Sequence, residues 1–415
     1  MTVSAAPATA TPSRPQTRQR LLDDALAAAL AHASWLEAYG PTSWDQYDFW
    51  ANPAGRRAKA TYYRHPWLGL PLVAPFVLLE NAVPRSRRLF WHRQRFAIAD
   101  AHYAMGFFGL AQAHGPDWLR QGAAFIQALE QERCAGDAEY CWGYPFAWAT
   151  CFGTWPAGTP LITSTPYAYE AFEAAHEATG DPRHLAVMES IARFAQTRIG
   201  TASVAPGTEA SAYSPYDQRR VVNASAYRGF LLAAAGSRFG RPDWLAEARA
   251  TLAFVLWSQQ PDGSWFYAMD GKDAFVDNFH TCFVLKNLCK AWRVLGDEEL
   301  RAAIDKGYGF YKSHLLDGRG LPVPFARTQR LTLQRRDLYD FAEGINLGLL
   351  LAGMDHDASA IAMDLMRHVL ERWALEDGHF ATRETVFGRN TIPYHRWAQA
   401  QMFRALTYAV LRGAE

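Results

Sequence analysis

The chain has 415 residues, 49% of them hydrophobic, so it is long enough to bury a sizeable core in one large or two ordinary domains. Its formal net charge of +1 gives no reason to expect a nucleic-acid-binding protein, which is usually strongly basic. Aromatic residues make up 14%, with 15 Trp and 18 Tyr, and so many amphipathic rings favour a wide cleft lined with aromatic side chains.

The N-terminal segment and the cysteines bear on the compartment. Residues 1–20 are mostly Ala, Thr, Ser and Pro and have no apolar stretch of the kind found in secretory signals, so we predict a disordered tail. The five cysteines are odd in number and contain no Cys-x-x-Cys pair, which argues against a disulfide framework or a zinc site. We therefore expect a cytoplasmic protein without a metal or a cofactor.

A basic and apolar insertion is predicted at 49–99. This segment has nine Lys or Arg, one acid (Glu80), and an uncharged run at 66–79. The run is too short to span a bilayer, and Pro71 and Pro75 are expected to break any long helix. An apolar segment between cations is typical of an interfacial anchor, so we predict peripheral contact of 56–95 with an anionic membrane, at the inner face of the cytoplasmic membrane. The alternative is a loop packed on the domain with solvated arginines.

A turn motif recurs at intervals of 56 to 65 residues along the chain. In each copy a glycine ends one helix, and Pro or Asp begins the next, which is the expected capping chemistry. The glycines are Gly115, Gly180, Gly240, Gly296 and Gly353. The repeat predicts a series of helical hairpins.

Twelve helices are predicted, in two sets of six. The first set is 21–37, 118–133, 182–199, 242–258, 298–315 and 356–373. The second set is richer in apolar and small residues and is the expected inner ring: 99–112, 163–179, 221–238, 277–295, 340–353 and 393–412. Hairpins of this kind cannot bury both faces alone. We predict an all-α fold, an (α/α)6 toroid forming one domain over 21–412, with short strands only in the long loops; the alternative is an open α-solenoid.

Several motifs carry a family resemblance. They are Gln-Pro-Asp-Gly-Ser-Trp at 260–265, the string at 270–282, Tyr-Ser-Pro-Tyr-Asp at 213–217, and the segment at 340–346. The hairpin exits resemble those of six-hairpin glycosidases and related lyases and epimerases. Together the motifs resemble a bacterial family associated with capsule and exopolysaccharide biosynthesis loci, over residues 40–412. The resemblance implies a toroid that acts on a glycan, and it carries over no established catalytic residue.

The candidate site residues lie mainly in the loops that lead into the inner helices, which surround one mouth of the ring. Aromatic side chains there could stack on the apolar faces of sugars, and other polar groups could bind hydroxyls or carboxylates. The predicted substrate-binding residues are Trp142, Tyr144, Trp148, Tyr213, Tyr216, Trp265, Asn346, Arg383, Arg389, Arg396 and Trp397. The predicted catalytic residues are Asp217, Asp277, His280, Asp340, Glu343, Tyr394 and His395.

Two clusters are singled out by their spacing. Asp277 and His280 are three residues apart at a helix start and so share a face, although an N-cap and a core histidine would explain them too. Asp340, Glu343 and Asn346 form a polar stripe on an otherwise apolar helix. Because buried charge is costly, we expect this stripe to face water in the central pit, although a capping pair would explain the two acids.

Other candidates have simpler explanations. Asp217 would be a turn residue that satisfies its own backbone. The rings at 142–148 would be ordinary loop packing, and the charged segment at 383–397 would be a solvated surface loop.

Three functions remain open at this stage. A hydrolase of envelope polysaccharide assembly would use two of the acids, and their separation would decide between inversion and retention. A uronate lyase or C5-epimerase would neutralise the substrate carboxylate with an arginine at 383, 389 or 396 and abstract a proton with Tyr213, His280, Tyr394 or His395. A non-catalytic glycan-binding protein would use the same pit. The number of acids favours the hydrolase.

Overall fold

The computed structural model describes residues 14–414, except 272 and 329–331. In chain order the helices are α1 (Arg14–Tyr39), α2 (Asp48–Ala51), α3 (Pro53–Arg64), α4 (Pro66–Ala82), α5 (Ala97–His114), α6 (Leu119–Gln131), α7 (Thr165–Thr179), α8 (Pro182–Thr197), α9 (Val222–Arg238), α10 (Pro242–Trp257), α11 (Asn278–Leu295), α12 (Glu298–His314), α13 (Leu338–Leu351), α14 (Ala358–Arg372) and α15 (Ala400–Ala414).

Twelve of these helices form two concentric layers. The inner ring is α5, α7, α9, α11, α13 and α15, and each of them packs on the next. The last inner helix, α15, packs on the first, α5, so the ring closes. The outer helices α1, α6, α8, α10, α12 and α14 each pack against the inner layer. The predicted (α/α)6 toroid is confirmed, and the open solenoid is wrong.

Most predicted boundaries agree with the structure to within a few residues, and two do not. Helix α1 begins at Arg14, so the predicted tail is wrong for 14–20, while 1–13 lie outside the described residues. Helix α15 begins at Ala400 instead of near 393. The segment before Ala400 instead places Trp397 in the wall of a cavity at one end of the barrel. The apolar periodicity of the helix does not reveal this break.

The recurring turns are helix caps, as predicted. Gly180 and Gly296 adopt left-handed backbone conformations, with φ of +69° and +70°, and their N–H groups donate to His176 O and Trp292 O. Asp181 then begins the next helix by accepting a hydrogen bond from the backbone N–H of Arg183 at 2.9 Å. This local chemistry turns the chain back and sets the order of inner and outer helices.

Small residues let the two layers approach closely. A Cβ added to Gly229 of α9 would lie 2.7 Å from Leu252 Cδ2 of α10, and one added to Gly348 of α13 would lie 2.6 Å from Ala358 O of α14. Every residue of α13 is buried. The glycine- and alanine-rich set of helices therefore forms the inner ring, as expected.

Nine short strands lie in the loops of the described part of the chain. They are β1 (Trp148–Thr150), β2 (Gly153–Trp155), β3 (Thr201–Ala205), β4 (Thr208–Ser211), β5 (Val276–Asp277), β6 (Phe325–Arg327), β7 (Gln334–Asp337), β8 (Arg383–Thr385) and β9 (Gly388–Asn390). They pair antiparallel as β1–β2, β3–β4, β5–β6 and the three-stranded sheet β7–β8–β9. The expectation of few, short strands is confirmed.

A layer of aromatic side chains closes the middle of the ring. Tyr167, Tyr227, Phe283 and Tyr339, one from each of four inner helices, are all buried. The hydroxyls of Tyr167 and Tyr227 are 2.6 Å apart, and the rings of Tyr227 and Phe283 are in contact, as are those of Phe283 and Tyr339. The pit is therefore not a continuous hole, and separate cavities open at the two ends of the barrel.

The insertion is helical throughout its centre. The prediction that Pro71 and Pro75 break a long helix is wrong, because both lie inside the 17-residue helix α4. Both prolines are exposed, so water can reach the carbonyl oxygens of residues 67 and 71, which have lost their N–H donors. No helix among the described residues is both long enough and apolar enough to cross a membrane.

Candidate functional site

A cavity of about 240 Å³ lies at the N-terminal ends of the inner helices. It is formed by the loops that lead into α7, α9, α11 and α15, together with residues from the insertion. Most of the candidate site residues were predicted to lie at this mouth of the ring. Phe279 forms part of its lining and contacts Phe283 and Tyr339 of the aromatic layer, so that layer closes the cavity from below.

Four predicted sugar-stacking residues line this cavity: Tyr144, Trp148, Tyr213 and Trp397. Hairpin β1–β2 presents Trp148 between two of the others, with ring centroids 5.7 Å from Tyr144 and 5.9 Å from Tyr213. Such edge-to-face contacts fix the orientation of the rings. The result is an aromatic wall whose members come from segments far apart in the chain.

The position of Trp397 depends on a break in the backbone before α15. Ala398 has φ of +149°, a conformation that costs free energy for a residue with a Cβ. The Gln401 side chain holds the break, since its Oε1 accepts from Ala398 N at 3.1 Å and its Nε2 donates to Arg396 O at 2.7 Å. The break ends the regular helix early and places Trp397 in the wall.

An aspartate–histidine pair stands at the edge of the cavity. Asp277 is buried at the N-cap position of α11, but its side chain does not cap the helix. Its oxygens lie 2.7 and 2.9 Å from His280 Nδ1. The His280 side chain is 20% exposed and lines the cavity. The alternatives of a capping aspartate and a core histidine are therefore wrong for this pair.

An arginine paired with two aspartates contributes charge to the cavity wall. Arg219 donates to Asp270 at 2.8 Å and to Asp273 at 2.6 Å, and both Arg219 and Asp273 line the cavity. Burial lowers the pKa of Arg219, but the bonds to Asp270 and Asp273 outweigh it and raise the pKa above its usual value. Asp270 and Asp273 belong to the polar 270–282 string that the sequence singled out, whereas Arg219, two residues after Asp217 in the loop before α9, was not predicted.

The insertion and the residue Tyr47 just before it also contribute to the wall. Tyr47, Lys59 and Tyr63 line the cavity, and Lys59 Nζ lies 5.1 Å from the centre of the Tyr47 ring. The insertion was interpreted from the sequence as a membrane element or as a packed loop with solvated arginines, so these residues were not predicted to line the cavity. Because the Lys, Arg, Asp and Glu residues among the described residues of the wall are Lys59, Arg219 and Asp273, acids do not predominate in the cavity, contrary to the count of acids that favoured the hydrolase.

Asp217 is a turn residue. Its carboxylate accepts hydrogen bonds from the backbone N–H groups of Tyr213 at 3.2 Å, Ser214 at 2.6 Å and Arg219 at 3.0 Å. A carboxylate engaged in this way orders the loop that carries Tyr213 and Arg219 into the wall. The predicted catalytic role of Asp217 is therefore corrected to a structural one.

The predicted polar stripe on α13 does not face water. Asp340 is 1% exposed and Glu343 is not exposed at all. Glu343 pairs with Lys286 of α11 inside the barrel, and Asn346 lines a second cavity, of about 410 Å³, at the opposite end. Burial, together with the nearby Asp337 and Asp277, raises the pKa of Asp340 well above its usual value. The expectation is wrong for the two acids, because Lys286 compensates Glu343 inside the barrel and burial favours the uncharged form of Asp340.

Tyr394 and His395 are structural as well. His395 is buried between Tyr103 OH, 2.7 Å from Nδ1, and Gly40 O, 3.0 Å from Nε2. Burial lowers its pKa to about 3, so it stays neutral. Tyr394 is buried, accepts a hydrogen bond from Asn390 Nδ2 at 2.9 Å, and has a pKa raised by burial to about 12. Neither residue lines the central cavity, so both lie outside the candidate site.

The three predicted arginines do not line the cavity either. Arg396 is buried and forms two hydrogen bonds with Asp45, at 2.8 and 2.6 Å, behind the aromatic wall. Arg383 pairs with Asp337 at 2.9 Å. Arg389 pairs with Glu384 at 2.6 Å near the surface. Their expected role in holding a substrate carboxylate is corrected to one in packing and loop structure.

Three predicted aromatic residues also lie elsewhere. Trp142 is fully buried and donates from Nε1 to Leu129 O at 2.8 Å. Trp265 is buried in the core and donates to Val255 O at 2.9 Å. Tyr216 is 67% exposed and borders a different cavity. All three lie outside the central cavity, and bulk and amphipathic character alone do not distinguish a core ring from a cavity ring.

Among the described residues, one group of side chains is close enough to share a metal ion: Asp355, His356 and Asp357. It follows the C-terminal end of α13, whereas the central cavity lies at the N-terminal ends of the inner helices. Lys312 already neutralises both carboxylates, at 2.8 Å from Asp355 and 3.0 Å from Asp357. The group is therefore explained as an ion-paired turn.

Comparison with known proteins gives matches by structure alone. No family model matches the chain, and no curated protein matches its sequence. Unsaturated glucuronyl hydrolase from Bacillus sp. GL1 is similar with a TM-score of 0.59 at 12% identity, over 94% of this chain and 96% of that one. Cellobiose 2-epimerase from Spirochaeta thermophila gives 0.59 at 14%, over 77% and 86%. A GH76 α-mannanase from Bacteroides thetaiotaomicron gives 0.56 at 9%, over 76% and 86%.

These likenesses establish the fold class. At 9 to 14% identity a shared fold does not transfer an activity. The expected similarity to six-hairpin carbohydrate enzymes is confirmed at that level. The association with capsule and exopolysaccharide biosynthesis stays a prediction.

Proposed function

We propose that this protein is a carbohydrate-active enzyme in which His280 transfers a proton to or from a sugar bound in the central cavity. The observation that carries the proposal is the Asp277–His280 pair, which stands at the edge of a cavity walled by aromatic rings. Strands β5 and β6 and the first turn of α11 fix the two side chains in place. A rigid support of this kind is what catalytic groups require.

The pair defines the protonation of the imidazole. A carboxylate only accepts hydrogen bonds, so His280 Nδ1 must carry the proton that points to Asp277. In the neutral ring Nε2 then has a free lone pair and can act as a base; once protonated it can act as an acid. The arrangement suits removal of a proton from one carbon; loss of the leaving group then completes an elimination, or protonation of the opposite face by a second acid completes an epimerisation.

The surrounding residues favour chemistry that builds up negative charge on the sugar. Arg219 and Lys59 are the cations of the wall, and they could stabilise an enolate formed beside a carbonyl or carboxyl group. Asp273 is the one carboxylate among the described residues of the wall, and none of the four expected acids lines the cavity, so the two-carboxylate arrangement of a typical hydrolase lacks support. We therefore favour an epimerase or lyase over the hydrolase.

Hydrolysis remains the second candidate because of Asp273. This carboxylate lines the same cavity as His280 and could act as the acid or base of a one-carboxylate mechanism. The substrate we propose is an oligo- or polysaccharide of capsule or exopolysaccharide assembly, handled in the cytoplasm at the inner face of the membrane. That setting is supported by the motifs at 213–217, 270–282 and 340–346.

Product analysis tests the proposal. The protein is incubated with uronate-containing and neutral oligosaccharides in D2O or in H2¹⁸O, and the products are analysed by mass spectrometry. Epimerisation replaces one carbon-bound hydrogen by deuterium, elimination leaves an unsaturated sugar end, and hydrolysis adds one ¹⁸O. We expect deuterium incorporation or an unsaturated end. Binding without any of the three changes would instead identify a non-catalytic glycan-binding protein and overturn the proposal.

Trp148 provides a test of the aromatic wall. We expect Trp148→Ala to weaken glycan binding about tenfold, because a ring that stacks on a sugar contributes on the order of 1 kcal/mol. Affinity is measured by calorimetry on a glycan that the protein converts or binds. Trp257→Ala, at a half-exposed tryptophan of outer helix α10, is the control and should leave the affinity unchanged. Equal affinities for the wild type and the Trp148 variant would contradict a role of the wall in binding.

A further inference from the structure

The insertion presents an exposed apolar surface. Trp67 and Leu68, at the start of α4, are 88% and 67% exposed, and further leucines follow along the helix. We call this surface the apolar face. Its other large exposed side chains are Leu70, Leu72, Leu78, Leu79, Val83, Leu89 and Phe90.

The packing of α4 does not account for the apolar face. Gly69 and Val73 are the residues of α4 that are buried, and Gly69 is where the helix meets α3. A Cβ there would lie 2.1 Å from Tyr62 Cα, so the two helices are in close contact along that edge. On another side of α4, Phe76 contacts Trp50, whereas Trp67, Leu68, Leu72 and Leu79 are exposed. Contiguous apolar surface of this extent marks a site of interaction.

The charges that flank the apolar face have one sign. Arg57 and Arg64 on α3, and Arg85 and Arg88 after α4, are exposed. Glu80 is the one acid between residues 49 and 99, and it is engaged by Trp50 Nε1 at 3.2 Å and by Arg383 at 3.6 Å. The surface therefore combines exposed hydrophobic side chains with uncompensated positive charge.

We propose that the apolar face docks into the interfacial region of an anionic lipid bilayer. Apolar side chains that enter the headgroup region, with cations beside them, are the combination that peripheral membrane helices use. At about 1.5 Å per residue α4 is roughly 25 Å long, and among the described helices none is long and apolar enough to cross a membrane. The helix lies in the plane of the membrane with Trp67 at headgroup level.

The docking surface and the central cavity share an element. Helix α3, on which α4 packs, supplies Lys59 and Tyr63 to the cavity wall. A membrane bound by α4 therefore lies close to the cavity, where glycans attached to lipids would be presented. The docking itself depends on the apolar face and not on the proposed reaction, so a failure of one leaves the other untouched.

Co-sedimentation with vesicles tests the proposal on the full chain. The protein is expected to bind vesicles of phosphatidylcholine mixed with phosphatidylglycerol, and to bind pure phosphatidylcholine vesicles far more weakly. Added salt should release the protein from the anionic vesicles, because it screens the attraction between the arginines and the lipid headgroups. Brominated lipid should quench the tryptophan fluorescence of the wild type more than that of Trp67→Phe, because the variant lacks the tryptophan that enters the bilayer. Failure to bind the anionic vesicles overturns the proposal.

Two sets of variants separate the contributions. Trp67→Ser with Leu68→Ser should weaken binding at least about tenfold, since two large side chains no longer enter the bilayer. Replacing Arg64, Arg85 and Arg88 by Gln should weaken it roughly a hundredfold, at about fivefold for each charge. All these side chains are exposed, so the fold, checked by circular dichroism, is retained.

Matched controls lie elsewhere on the surface. Replacing Arg20, Arg120 and Arg372 by Gln removes three exposed charges outside the insertion and should reduce binding much less. Trp257→Ser is the corresponding control for the apolar variant. Equal effects of test and control variants would overturn the proposal. So would a dimer in solution that the Trp67 and Leu68 changes dissociate while vesicle binding is absent, because a second copy would then cover the face.

Discussion

Replacing His280 with asparagine is expected to lower kcat about a thousandfold while glycan affinity stays within about threefold of wild type. Asparagine keeps a polar side chain of similar size but cannot exchange a proton. Asp277→Asn should lower kcat about a hundredfold, because its amide can donate to Nδ1 and so place the imidazole proton on Nε2, where it blocks the base. Steady-state kinetics measures both variants.

A distant histidine serves as the control for these variants. His356 is exposed and lies just after the C-terminal end of α13, at the end of the barrel opposite to the central cavity. His356→Asn should therefore keep wild-type kcat. A His280 variant with full turnover would show that His280 is not the proton-transfer group. A simultaneous loss of binding and turnover would assign it to substrate binding.

The second large effect is expected in stability. Glu343 and Lys286 form an ion pair inside the barrel, with both side chains almost fully buried. Glu343→Gln leaves the ammonium without its compensating charge, and we expect the free energy of unfolding to fall by about 3–5 kcal/mol. Lys286→Met leaves the carboxylate alone and should destabilise to a similar extent. Urea denaturation monitored by circular dichroism gives the free energies.

The double variant distinguishes this ion pair from simple packing. Glu343→Gln combined with Lys286→Met removes both charges, so it should be more stable than the sum of the single effects predicts. Asp364→Asn, which breaks the exposed Asp364–Arg367 pair, is the control and should change stability by less than about 1 kcal/mol. A loss below 1 kcal/mol in Glu343→Gln would show that the pair is solvated through the neighbouring cavity.

The fold was predictable because its signals are local. The turns at Gly180 and Gly296 rest on the left-handed glycine conformation and on the residues next to it, and both are visible as short motifs. Repetition of that motif places the helices in order. The small residues of α9 and α13 then identify the inner ring, since close helix approach needs them.

The site was predictable in part, and the reason is geometric. Residues just before the inner helices must lie at one mouth, which is why Trp148, Tyr213 and Trp397 were found. Spacing within a helix does not show whether a face turns to the cavity, to the barrel interior or to the outer layer. Asp340 and Glu343 were misplaced for this reason.

The second obstacle to predicting the site was that several polar side chains bond to partners far away in the sequence. His395 bonds to Tyr103, 292 residues away, and Arg396 bonds to Asp45, 351 residues away. A polar residue looks available for function until such a partner is known. Asp277 and His280 escaped this difficulty because the two partners are three residues apart.

The central claim is that the sugar binds in the cavity beside His280. A crystal structure of the His280→Asn variant with a bound oligosaccharide, superposed on the wild-type side chain, tests it most directly. We predict a sugar ring against Trp148 and Trp397, with one ring carbon about 3–3.5 Å from the position of His280 Nε2. A glycan bound at the opposite end of the barrel, or on the outer surface with the cavity empty, would contradict the account.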